Sequence, residues 1–585
     1  MSTSIPRPDP ADAAAPADPF DTALIARLAN EFFAGHADRL PAAAPSAPTT
    51  VAGVPAHVPG APTKAPSSPS PDISLTGGFP AAAPSGPPPV HPGVVAPENE
   101  PGTAGGRTSS GTHQPGATDS YEFGEPRCYR DSLQTLAPGP SKSSGPEVEV
   151  SEEPLLYFLK ASDVGPVAGF GLPHPAPGPK LTAFDVEGVR RDFPALHQRI
   201  NGRPLIWLDN AATTHKPQAV IDATSQFYGR DNSNIHRAAH TLAARSTELF
   251  EGGREKVRQF LGAADAKEII FVRGTTEGIN LIAQTYGRKN IGAGDEIIVS
   301  ELEHHANIVP WQLLAAQVGA TIRVIPMNDR GELLVEELPR LLSPRTKIVS
   351  VTHVSNALGT INPIEEIIGL AHGYGVPVVV DGAQSTPHIP INVQALDADF
   401  FVFSGHKVFG PTGIGAVYGK AQHLEAMPPW QGGGHMIRDV TFAKTTYQDP
   451  PEKFEAGTPD IAGVVGLGAA IDYLLGVGLP AVAAYEHALL EYATHALTAI
   501  PGIRPIGTAA HKASVLGFVI PGVENAKIAK HLDQHGIAVR AGHHCAQPAV
   551  RHFGLEGTVR PSLAFYNTFA EVDALVSALH SLPRA

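Results

Sequence analysis

The stretch "DADFFVFSGHKVFGPTGIGAVYG" occupies residues 397–419. Its strand-formers, Phe400 to Phe403, run into Ser404, Gly405, His406 and Lys407, with further glycines at 410, 413, 415 and 419. An aromatic and β-branched run of this kind reads as a buried strand. The glycine-rich turn behind it puts three polar side chains at the strand's carboxyl end. A lysine there is ordinarily a strand end in water, so its neighbours have to decide what it does.

Working outward, strand-like and helix-like segments alternate. "KEIIFV" (267–272) meets the turn "RGTTEG" and the helical "INLIAQTYG". "DEIIVS" (295–300) precedes the helical "NIVPWQLLAAQVG" and then "TIRVIPM". "TKIVSVTHV" (346–354) precedes "IEEIIGLAHGYG" and then "VPVVVDGAQ". Short apolar runs joined by helical crossovers predict a mixed, mostly parallel sheet with helices on both faces. Functional groups in such sheets gather at the carboxyl ends of the strands. Those ends carry Thr275 and Thr276, Glu303 with His304 and His305, Asn356, Asp381 with Gln384, and Lys407.

The turn before Thr275 and Thr276 offers backbone N–H groups and hydroxyls to a phosphate, although paired threonines also make an ordinary helix cap. Asp381 follows "VPVVV", where an unpaired carboxylate is costly, so a cation is expected against it. Lys407, 26 residues later, is placed to form a Schiff base. A phosphate cradle, a stacking histidine, a carboxylate for a ring nitrogen and a Schiff-base lysine together describe a pyridoxal phosphate (PLP) site. The second site element is "GIAVRAGHHCAQPAV" (536–550), where Cys545 lies among histidines five residues after Arg540. Cationic neighbours favour a thiolate. Arg560, in "VRPSLAFYNT", offers a planar fork for a carboxylate.

From about residue 181 the chain resembles the SUF-type, type II cysteine desulfurases of the class V aminotransferase family, in PLP fold-type I. The stretches that carry the resemblance are "LDNAATTHKP", "IHRAAHTLA", "FVRGTTEGINLIA", "ELEHHANIVPW", "THVSNALGTINP", "VDGAQ", "FSGHKVFGPTGIG", "EAGTPD" and "RAGHHCAQP". The last marks the type II subgroup. "TTHKP" and "HRAAH" depart slightly from the usual pattern and touch nothing catalytic. The resemblance implies conversion of L-cysteine to L-alanine, with the sulfur held as a persulfide on Cys545. Lys407, Cys545 and His304 are then the catalytic set. His304 stacks on the cofactor ring, Asp381 pairs with its nitrogen, and Gln384 binds its phenolic oxygen. Thr275, Thr276, Ser404 and His406 hold the phosphate. Thr458 reaches the cofactor of a second subunit, which implies a homodimer. Asn356, Arg540 and Arg560 bind the substrate, and no metal is expected. A selenocysteine lyase carries the same motifs. A class V transaminase does not need Cys545, and a degenerate scaffold would not keep the whole set.

Composition divides the 585 residues near 180: 33 of the 57 prolines precede that point, and all three tryptophans follow it. Residues 1–180 hold too little apolar surface to offset chain entropy and read as a disordered extension. Early prolines and aspartates argue against a signal or transit peptide. Three islands interrupt it: the helix-spaced "DTALIARLANEFFAG" (21–35), the aromatic "YEFGEPRCYR" (121–130) and the apolar "SEEPLLYFLKASD" (151–163). Such an extension resembles those of desulfurases packaged in family 2 encapsulin shells, with the islands as docking motifs on the shell protein. The alternative for the extension is a solubility or partner-tethering tail, and the alternative for the function is a desulfurase feeding iron–sulfur cluster assembly without encapsulation, through a sulfur-acceptor protein. The expected order is the extension (1–180), a segment on the small domain (181–206), the PLP-binding large domain (207–460), and a small α+β C-terminal domain carrying Cys545 (461–585). A formal charge of −14 gives no footprint for nucleic acid, and no apolar run is long enough to span a bilayer. Two cysteines, Cys128 and Cys545, exclude a disulfide framework and fit a cytoplasmic protein or one enclosed in a nanocompartment.

Overall fold

The structure, a computed structural model, describes residues 184–235 and 239–583. The three islands of the extension, Cys128 and residues 236–238 of "IHRAAHTLA" lie outside the described residues.

A seven-stranded sheet organises the larger region. Its strands in chain order are β1 (Ile269–Val272), β2 (Glu296–Ser300), β3 (Thr321–Ile325), β4 (Thr346–Thr352), β5 (Val378–Asp381), β6 (Phe400–Ser404) and β7 (Gly415–Gly419). Across the sheet they run β1-β7-β6-β5-β4-β2-β3. Strands β2 to β6 pair in parallel, while β7 is antiparallel to both β1 and β6. The reversal follows from chain length. Residues 405–414 are too few for the crossover that a parallel return requires.

Both faces of the sheet are covered, as the unbroken apolar runs require. Phe401 and Phe403 of β6 join one core cluster and Phe400 and Val402 the other. Helices α1 (Thr241–Leu261), α4 (Ile364–His372) and α5 (Ile461–Val477) contribute Phe250, Ile367 and Leu467 to the first. Helices α2 (Thr275–Ile282) and α3 (Val309–Val318) contribute Ile279 and Trp311 to the second.

The smaller region is an antiparallel sheet of β8 (Arg504–Ile506), β9 (Gly517–Val519), β10 (Arg540–Gly542) and β11 (Thr558–Arg560), in the order β8-β9-β11-β10. It has its own core, in which Phe518 and Val559 meet Leu489 of α6 (Leu479–Thr498), Ile528 of α7 (Asn525–Gln534) and Leu575 of α8 (Phe569–His580). The segment Ile206–Trp207 pairs in parallel with Ile537–Ala538 beside this sheet. Among the described residues no single helix is long and apolar enough to cross a membrane. Helices α5 and α6 together have the length and composition, but they bend by 76° and bury many of their apolar residues, such as Leu467, Leu474 and Leu489, in the protein core.

Candidate active site

One cavity of about 170 Å³ opens where the carboxyl ends of the large sheet face β10 and β11. Lys407 follows β6, Asp381 ends β5, Thr275 and Thr276 begin α2, and His304 follows β2. Cys545, Arg540 and Arg560 reach the same cavity from the smaller region. Of the thirteen residues singled out in the sequence, twelve line it, namely these together with Asn356, Gln384, Ser404 and His406. Thr458 does not. It is exposed in a separate cleft beside Trp430 and Gln431.

The backbone at the α2 end of the cavity requires glycine. Gly274, the residue before α2, has φ +149°, and a Cβ there would stand 3.0 Å from Ser404 Oγ. It caps the helix without a side chain, so the first turn opens toward the cavity. Ser404 Oγ accepts from Thr275 N at 2.9 Å and lies 2.9 Å from the Thr275 hydroxyl. The buried Thr275 therefore positions Ser404, and the exposed Thr276 is the threonine that faces the opening. His406 anchors the N-terminal segment: its carbonyl accepts from the hydroxyls of Thr213 and Thr214 at 3.1 and 3.2 Å.

At the opposite end Asp381 is buried, and its Oδ1 accepts from Ala383 N at 2.9 Å. Gly382 lets this strand end close on its neighbour, because a Cβ there would lie 2.0 Å from the Phe401 ring. Burial raises the Asp381 pKa, while the amide of Ala383 and Lys407 oppose it. Burial also draws the Lys407 amine down to about 8, against the pull of Asp381. That value puts the lysine within reach of its neutral, nucleophilic form near neutral pH. Burial, with Lys407 nearby, pushes His304 down to about 3. Its Nδ1 accepts from Ala306 N at 3.0 Å, so the proton of the neutral ring sits on Nε2. Gln384 Nε2 donates to Ala211 O at 2.6 Å, which fixes its amide.

On the side of the smaller region Arg560 is 1% exposed and donates through Nη1 to Asn356 O at 2.6 Å. Asn356 Nδ2 donates to His544 O at 2.6 Å. Arg560 Nε, Asn356 Oδ1 and His544 Nδ1 are buried without a partner among the described residues. Three unsatisfied polar atoms beside one cavity are the mark of a site built for a polar ligand. Cys545 is half-buried. Its N–H donates to His543 Nδ1 at 3.0 Å, and its carbonyl accepts from His305 N at 2.7 Å. One sequence expectation is corrected here. His544 is buried and pushed down to about 3, so it is a neutral ring held 2.8 Å from Thr558 Oγ1 and no cationic neighbour of the thiol. The cations that act on this side are Arg540 and Arg560.

Sequence reasoning noted Glu303 at a strand end and gave it no role. It is fully buried and accepts from Ser300 Oγ at 2.5 Å, Asn307 Nδ2 at 2.7 Å and Thr352 N at 2.9 Å. Burial raises its pKa to about 8 against these donors. The network ties the turn that carries His304 to β4, the neighbour of Asp381's strand. Only the flanking residues hint at this in the sequence, since Ser300 and Asn307 are polar in an otherwise apolar stretch.

The residue set fits PLP. It offers a helix N-terminus with hydroxyls at one end, a buried carboxylate at the other, a lysine of lowered pKa between them and a histidine at hand. A family model described as "Aminotransferase class-V" matches residues 206–575. The chain belongs to the class V aminotransferase family. Its relatives include a cysteine desulfurase of Synechococcus elongatus, 62% identical over 399 residues, covering 68% of this chain and 64% of that protein. A probable cysteine desulfurase of Mycolicibacterium paratuberculosis is 56% identical over 444 residues, 76% of this chain and 64% of the relative. The chain thus spans somewhat under two-thirds of the length of these two relatives. A probable cysteine desulfurase of Vibrio cholerae is 52% identical over 397 residues and matched along 98% of its length. Among solved structures, a cysteine desulfurase from Escherichia coli, described as an S-sulfonic acid, has a TM-score of 0.64 at 45% identity. The match covers 68% of this chain and 98% of that one. The apo cysteine desulfurase of Thermococcus onnurineus gives 0.65 at 37% identity, covering 68% and 97%. The fold is that of the fold-type I PLP enzymes, and the residues of the cavity fit that cofactor.

Proposed function

We propose that this protein is a type II cysteine desulfurase, converting L-cysteine to L-alanine and retaining the sulfur on Cys545. The observation that carries the reading is the shared cavity, which joins Lys407 and Asp381 to a half-buried Cys545 and to Arg560. PLP supplies an aldehyde for the substrate's amino group and a ring that accepts electrons. Thr276, Ser404, His406 and the first turn of α2 would hold its phosphate, Asp381 would pair with its ring nitrogen, Gln384 would bind its phenolic oxygen, and His304 would lie against it. Arg560 and Asn356 fix the substrate carboxylate, which sets the sulfur toward Cys545. Lys407 moves protons at the substrate's Cα. The Cys545 thiolate forms a bond to the substrate sulfur as the substrate's Cβ–S bond breaks, and a proton completes alanine. Thr458 completes the phosphate site of a second subunit in a homodimer.

The extension carries the address. We assign residues 1–180 to docking on an encapsulin shell, so that the enzyme works inside a cytoplasmic compartment and passes sulfur to an acceptor there. The mycobacterial match is longer than residues 181–585 and so takes in part of the extension.

The test of the chemistry is to incubate the purified protein with L-cysteine, quantify alanine, and look for an adduct of one sulfur atom on Cys545 by mass spectrometry. Alanine without that adduct would assign the chemistry to another group. Absence of both would remove the desulfurase reading.

A further inference from the structure

Asp209 belongs to "LDNAATTHKP" but entered none of the roles read from the sequence. It follows the short strand Ile206–Trp207 and bridges to Ser562. Its carboxylate lies between two arginines: Oδ2 accepts from Arg540 Nε at 3.2 Å, and Oδ1 accepts from Arg560 Nη2 at 3.2 Å. The two cations are not equivalent. Arg560 has a 2% exposed side chain, is held by the Asn356 carbonyl and keeps a buried, unpartnered Nε. Arg540 has a 46% exposed side chain and comes five residues before Cys545.

An amino acid's α-carboxylate needs one fixed cation, and Arg560 with Asn356 supplies it. A second free cation near Cys545 would do something else, namely receive an acidic substrate side chain. Asp209 weakens that option by engaging the Nε edge of Arg540 and adding a negative charge behind the cavity wall. We propose that Asp209 is a specificity-determining residue, which acts through Arg540 to make the cavity prefer amino acids with uncharged side chains over acidic ones. The proposal rests on the reading of the cavity as an amino-acid site.

The test uses the full-length holoprotein and needs no turnover. L-serine and L-aspartate are titrated separately, each binding constant is read from the cofactor absorbance, and the ratio of the two is the measured quantity. In the wild type L-serine binds more tightly. Asp209→Asn should shift the ratio about tenfold toward L-aspartate, the scale of one ion pair gained at a partly exposed site. Arg540→Gln alone should shift it the other way, because the Asp209 charge is then balanced by Arg560 alone, and this arm stands even if Asp209→Asn misfolds. The double variant should return toward the wild-type ratio. A merely structural Asp209 would weaken both ligands together. A ratio that stays within about twofold in both single variants overturns the proposal. If neither amino acid perturbs the wild-type spectrum, the amino-acid-site reading itself fails and takes the proposal with it.

Discussion

Lys407 and Cys545 face one cavity from regions built on different terms. Lys407 follows a strand whose residues Phe400 to Phe403 are wholly buried, with cores on both sides. Cys545 follows a three-residue strand and is half-buried. Its backbone has φ +56°, and that of His544 has +55°, a left-handed pair that non-glycine residues adopt at a cost. Hydrogen bonds from Asn356 to His544 O and from His305 to Cys545 O hold that pair in place. On the proposed reading, with a cofactor held at Lys407 and sulfur carried on Cys545, the contrast follows from the two tasks. A cofactor has to be kept in one orientation, which close packing provides. A sulfur carrier has to meet the substrate on one side and an acceptor on the other, so it is tied by polar contacts on a short, accessible lobe.

Removing each group separates the two sides. Lys407→Ala should lower alanine release by more than about a thousandfold and abolish the absorbance of covalently held cofactor. A variant that kept both would dissolve the cofactor side of the contrast. Cys545→Ser should cut alanine release by about a hundredfold or more while PLP still binds and its spectrum still responds to L-cysteine. Loss of the spectrum in that variant would mean that the lobe builds the cofactor site as well. Gly274→Ala should weaken PLP by about tenfold, because φ +149° strains any side-chain-bearing residue and a methyl group 3.0 Å from Ser404 Oγ would displace that hydroxyl. Reconstitution of the apoprotein measures it, and unchanged affinity would move the phosphate away from α2.

The buried imidazoles sharpen the comparison through pH. His353, next to β4, is pushed down to about 4 by burial, and His544, on the cysteine lobe, to about 3. Both are neutral when folded and titrate near 6.5 when unfolded. Below that value the unfolded chain binds more protons, so stability is full above about pH 6.5 and declines as pH falls toward the folded values. Between about pH 6.5 and 5.5 the pair costs roughly 2 kcal/mol, a shift of a few degrees in the melting temperature. His544→Gln should remove about half of that slope if His544 contributes as His353 does. An unchanged slope would show that the lobe opens before the core does.

The cofactor side was legible in the sequence because it is local. Each of its residues sits at the end of an apolar run, and strand ends in a parallel sheet share one edge. The order Thr275, His304, Asp381, Lys407 therefore reads as a site from the chain alone. The cysteine lobe was legible as a motif but not in its electrostatics, since "GHHC" does not say that His544 turns inward to Thr558 while His543 faces water. Asp209 and Glu303 were less accessible still. Asp209 meets arginines more than 300 residues away, and Glu303 acts through Thr352 on a neighbouring strand. Contacts at that separation have no period and leave no signature in a single sequence. The hairpin of Ile437–Val440 and Thr445–Tyr447, with Phe442 exposed near its tip, likewise gave no periodic signal.

The smallest expected effect on catalysis concerns the extension, where the same division of labour is carried further. Every group assigned to the chemistry lies after residue 206, and the described region has its own cores and its own cavity. Deleting residues 1–180 should therefore leave kcat/KM for L-cysteine within about twofold of the full chain. What should disappear is co-purification with a shell protein. The islands at 21–35, 121–130 and 151–163 lie apart along a proline-rich spacer, so binding one raises the effective concentration of the next, and no single island has to bind tightly. Removing one island should weaken loading in part, and removing all three should end it. Fusing residues 1–180 to an unrelated fluorescent protein should be sufficient to load that protein. Shells that still fill with the truncated enzyme, or that exclude the fusion, would show that the address lies in the folded region.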